Sequence, residues 1–114
     1  LSAAPVALAP LPDLIRRTPG ARVMLLNAAS RVISASNPLA RRLVEAGVGF
    51  DLATLETVAG VETALRNVPG LRFSFGSHAP YFYFEAALLK LRESELSPEQ
   101  DAAIRHGHAA GLLA

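Results

Sequence analysis

The segment from Arg22 to Gly47 constrains this chain more than any other. Val23, Met24, Leu25 and Leu26 form an uninterrupted apolar run, the pattern of a strand covered on both faces. Asn27-Ala-Ala-Ser30 supplies a turn, and Arg31-Val-Ile-Ser-Ala35 is expected to return as a second strand, antiparallel to the first because the connection is short. A helix follows. The Asn37 side chain can accept from its open amides, and Pro38 takes the first helical position, where a missing N–H costs nothing. Leu39, Ala40, Leu43 and Val44 make one apolar face opposite Arg41, Arg42 and Glu45, and Gly47 stops the helix.

Around this segment the chain divides into an Ala/Pro-rich tether over residues 1–12, a domain over 13–95 and a C-terminal helical stretch over 96–114. Asp13 is expected to cap a short helix through Leu14–Arg17, ended by Thr18-Pro19-Gly20. Asp51 is expected to cap a second helical region, with Leu52, Leu55, Val58 and Ala59 and then Val61, Ala64, Leu65 and Val68 at helical spacing, broken near Gly60 and ended by Pro69-Gly70. Leu71, Phe73 and Phe75 then alternate with Arg72 and Ser74, a half-buried strand. A loop over Gly76–Pro80 leads to the aromatic run Tyr81-Phe-Tyr-Phe84, and Tyr81–Arg92 is expected to be a long strand paired in a hairpin with the first; a helix is the competing reading for Glu85–Arg92. Ser97-Pro98-Glu99-Gln100 is a strong helix start, with a capping Ser, Pro at the first position and Gln three residues on.

Composition narrows the function classes. Eleven basic against ten acidic residues leave a net charge of +1, which excludes an electrostatic footprint for nucleic acid, so no direct nucleic-acid contact is expected. The absence of Cys removes disulfides, thiolate catalysis, Cys-ligated zinc and cysteinyl-flavin photochemistry, and fits a cytoplasmic location. No apolar run reaches the roughly 18 residues that cross a bilayer, so no membrane partner is expected. Both ends, without an initiating Met and closing on Gly111-Leu-Leu-Ala114, look like cuts in a longer protein.

The order strand, turn, strand, helix, short helices, strand, strand over residues 20–92, with Val32-Ile33 followed by Ser36-Asn37-Pro38, Ala40 and Leu43, resembles a PAS domain, the sensory module common in bacterial signalling proteins. The resemblance implies an α+β fold, a five-stranded antiparallel sheet with helices over one face and a small ligand between the layers. The fifth strand is the uncertain part: it is missing, supplied by another chain, or formed by His108–Leu113. The stretch LSPEQDAAI also resembles the first helix of the helix-turn-helix domain in quorum-sensing-type regulators, which implies that 96–114 lead to an output domain outside this segment.

Few residues suggest chemistry. His106 and His108 would need both rings on one side plus a further ligand to hold a metal, and an exposed helix end is the simpler reading. Ser77-His78 lacks the G-x-S-x-G elbow of a nucleophile. A PAS-type haem ligand would lie within Val61–Val68, where no His stands, and no Gly-rich phosphate loop exists, so no metal and no cofactor are expected. Phe73, Phe75, Leu43 and Leu55 are the candidate ligand-lining residues. Aromatics on both faces of a Tyr81–Phe84 strand point to a sheet covered twice, hence to a homodimer. The expectation is a non-catalytic sensory and dimerisation module of a cytoplasmic bacterial regulator, with a small apolar ligand as candidate occupant. The alternatives are a fragment of a small α+β enzyme and a purely structural dimerisation domain.

Overall fold

The computed structural model describes Ala4 and residues 6–114; the parts of the expected tether at residues 1–3 and 5 lie outside the described residues. The elements in chain order are α1 (Leu11–Arg16), β1 (Met24–Leu25), α2 (Ala29–Val32), α3 (Pro38–Glu45), β2 (Gly49–Asp51), α4 (Gly60–Asn67), β3 (Phe73–Ser74), α5 (Phe84–Glu93), α6 (Pro98–Ala102), a π-helical turn (Ala103–Gly107) and α7 (His108–Leu113).

The strands form one three-stranded sheet in the order β1-β2-β3, and both pairs are parallel. This overturns the PAS-like antiparallel sheet. A tight turn cannot join parallel neighbours; each pair needs a crossover, and α2 with α3 supplies the first and α4 the second. Two expected strands do not form, and each is helical in part. Arg31–Ala35 is not the return strand: Ala29–Val32 form one helical turn that buries Ala29 and Val32, and Ile33–Ala35 follow it outside any helix or strand. Over Tyr81–Arg92 the aromatics favour a strand, but the helix formers Ala86, Ala87, Leu88, Leu89 and Lys90 prevail and α5 begins at Phe84. The homodimer argument drawn from a two-faced aromatic strand goes with it, since Tyr81–Tyr83 lie in a loop.

Asp51, expected to cap a helix, closes strand β2, and Asp13 lies in the first turn of α1 rather than capping it. Other local readings hold. Asn37 Oδ1 accepts the Leu39 N–H at 3.0 Å, and its Nδ2 donates to the Val32 carbonyl at 3.1 Å, so one side chain both opens α3 and closes α2. Gly47, at φ +86°, ends α3 in the left-handed conformation that suits glycine. Ser97 and Gln100 form the reciprocal capping box of α6.

The core is built on one row of the sheet. Leu25, Phe50 and Phe73 are register partners across the three strands, and Phe50 and Phe73 are fully buried. Leu43 and Ala40 from α3, Val61 and Ala64 from α4, and Leu91 from α5 belong to the same buried cluster. The C-terminal segment bonds to β3. In the π-helical turn the His108 N–H pairs with the Ala103 carbonyl, which frees the Ile104 carbonyl to accept the Phe75 N–H at 2.9 Å. The His108 ring adds a bond from Nδ1 to the Phe73 carbonyl at 2.6 Å. Among the described residues no helix is long and apolar enough to cross a membrane.

Candidate functional site

Because the strands are parallel, the loops that follow all three leave from one edge of the sheet, and Asp51 ties that edge together. It is 6% exposed, and its Oδ1 accepts the Asn27 backbone N–H at 2.9 Å, fixing the loop after β1. Gly76, in the loop after β3, lies so close that a Cβ there would stand 2.8 Å from Asp51 Oδ2 and 2.9 Å from Asp51 Cβ. The missing Cβ of Gly76 is thus what lets the loop after β3 approach the end of β2. Ser74, the register partner of Asp51, is 3% exposed, and its Oγ has no hydrogen-bond partner among the described residues. Thr54 Oγ1 accepts the Ser30 N–H at 3.2 Å, a tie between α2 and the loop after β2.

A cleft of about 800 Å³ opens at this edge, between residues 53–60 after β2, the loop after β3, and α5. Its apolar lining comes from Leu55, Val58 and Leu89 with the rings of Tyr81, Phe82 and Tyr83. Tyr81 and Tyr83 are 82% and 84% exposed, a large aromatic surface left facing the opening. The loop that carries them is held by stacking: the His78 ring lies 5.2 Å from Tyr81 and 5.1 Å edge-on from Phe82, with His78 itself at φ +56°.

Lys90, the only lysine of the chain, reaches from α5 to donate to the Leu52 and Ala53 carbonyls at 3.0 and 3.3 Å. It pins α5 against the end of β2 and lines the cleft wall. Burial pushes its pKa below 10.5, opposed by the nearby charges of Glu56 and Asp51. Glu62, Glu93 and Glu95 line the same cleft, and Glu62 Oε1 accepts the Glu95 N–H at 3.4 Å while its Oε2 is shielded and without a donor among the described residues.

Of the four residues expected to line a ligand site, Leu55 lines this cleft. Phe73 and Leu43 are wholly buried in the core, and Phe75 is half-buried, edge-on to Phe84 at 5.5 Å. Ser77 Oγ accepts the Ala79 N–H at 3.3 Å, a local turn contact. Asp51 and Lys90 were missed. The signals were present: Val48, Phe50 and Leu52 alternate with Gly49 and Asp51 in the period of a strand, and a lone lysine stands in an otherwise Arg-based chain.

Comparison of the chain with protein-family models, with curated proteins and with solved structures finds no match.

Proposed function

We propose that this chain is a small-molecule-binding α/β unit whose ligand occupies the cleft between residues 53–60 and α5. The observation that carries the reading is where the cleft lies: at the carboxyl ends of parallel strands, the edge at which open α/β sheets take their ligands. Its volume of about 800 Å³ suits a drug-sized molecule, and its lining of aliphatic and aromatic groups with a few polar side chains is that of a ligand site. As a sensor, the unit would act through ligand that favours one packing of residues 53–60 on α5.

The test is equilibrium binding of neutral aromatic fragments to the chain and to Ala86→Trp. Ala86 is an exposed cleft residue on α5, so the indole fills the space without disturbing the core. Binding to the wild type and its loss in the folded variant supports the reading. Equal binding to both contradicts it.

A second reading, a fragment of an enzyme, is favoured by one observation. Asp51 and Ser74 are buried polar partners at the carboxyl edge, and the Ser74 hydroxyl is unsatisfied, a cost that functional sites retain.

A further inference from the structure

The charges around the cleft select among ligands. Its lining holds four carboxylates, Glu56, Glu62, Glu93 and Glu95, against one ammonium, Lys90, among the described residues. Lys90 is already engaged by the Leu52 and Ala53 carbonyls, so much of its charge is directed at the end of β2. None of the four carboxylates stands within ion-pair distance of a cation among the described residues, where the ion pairs involve Asp13 and Asp101; of the four, Glu56 is the one whose charge acts on Lys90. Glu62 Oε2 is shielded from water and lacks a donor, an acceptor waiting for an N–H. The faces of Tyr81 and Tyr83 beside them carry the negative side of the ring quadrupole, which attracts cations.

We infer that the cleft takes an organic cation, an amine with an aromatic or aliphatic body, whose apolar part lies on Tyr81, Tyr83 and Val58 and whose ammonium meets the glutamates. This rests on the cleft being a ligand site. An ammonium would supply the donor that Glu62 Oε2 lacks, and the carboxylates that line the cleft would attract it and repel negative charge. An anion of the same shape would face that repulsion with only Lys90 in its favour.

Three molecules of one shape separate charge from fit: phenethylamine, phenethyl alcohol and 3-phenylpropionate, titrated calorimetrically into the chain at pH 7.5 and low salt. The amine is expected to bind about tenfold tighter than the alcohol, equivalent to about 1.4 kcal/mol. The anion is expected to bind more weakly than either. Added salt should reduce the advantage of the amine, since Glu56, Glu93 and Glu95 are exposed. The double variant Glu56→Gln/Glu93→Gln, at two exposed positions, should lose at least about half of that advantage of the amine over the alcohol. Equal binding of amine and alcohol would overturn the inference while leaving the cleft a ligand site, as would tightest binding of the anion. An advantage of the amine that survives the double variant would overturn the assignment to these glutamates. Binding of none of the three, with no neutral fragment bound either, would overturn both readings.

Discussion

Asp51 accepts the backbone N–H of Asn27 at 2.9 Å across 24 positions of sequence, joining the end of β2 to the loop after β1. Asn27 holds φ +56°, a left-handed conformation that Asn tolerates better than most residues, so the bond fixes a turn whose backbone would otherwise relax. With Gly76 packed on the other side of the same carboxylate, one side chain sets the spacing of all three strand ends.

Replacing Gly76 by Ala should therefore destabilise the chain by about 1–3 kcal/mol, because the new methyl group meets the Asp51 side chain well inside contact distance. Chemical denaturation of Gly76→Ala measures it. A midpoint equal to that of the wild type would mean that the two loops are not in contact.

Phe73 and Phe75 separate core from edge. Phe73→Ala should cost about 3–5 kcal/mol, as for a fully buried ring whose cavity cannot collapse. Phe75→Ala should cost clearly less, since that ring is half-buried against Phe84. Thermal melts of the two variants give the order, and equal losses would contradict it.

Ser74→Ala should leave stability unchanged or raise it by about 1 kcal/mol, since it removes a buried hydroxyl that has no partner. A loss above about 1 kcal/mol in denaturant titration would show that Ser74 Oγ makes a bond in solution.

Lys90 gives stability a defined pH dependence. Burial holds its folded pKa below 10.5, so between the folded and unfolded values the unfolded chain binds more protons and stability rises with pH. Relative to Lys90→Met, the wild type should gain stability as the pH climbs toward 10.5, with no change in the difference at pH values below the folded pKa. Paired denaturation curves at pH 7 and pH 10 check this. A difference that shrinks with rising pH would mean that the Lys90 pKa is raised by its neighbours.

What the sequence made legible was local. The Asn37 cap, the Gly47 stop and the Ser97–Gln100 capping box depend on side chains within a few residues of the backbone they satisfy, and each is found in place. Strand pairing depends on partners far along the chain. Phe50 and Phe73 lie 23 positions apart, and nothing in the alternation of Leu71, Phe73 and Phe75 distinguishes a parallel neighbour from a hairpin partner. The short Asn27–Ser30 interval suggested a hairpin turn, yet it opens a loop whose conformation is set by Asp51. The cleft was the least legible, because Leu55, Tyr83 and Lys90 converge only once β2 and α5 are adjacent.

If the space beside α5 at the carboxyl edge of the sheet binds a small molecule, amide chemical-shift mapping with phenethylamine and with a neutral aromatic fragment locates it. Saturable shifts are expected in residues 53–62 and 81–95, with Leu43 and Phe73 unmoved. Shifts centred on Leu43 and Phe73, or no saturable shift with either molecule, would contradict it.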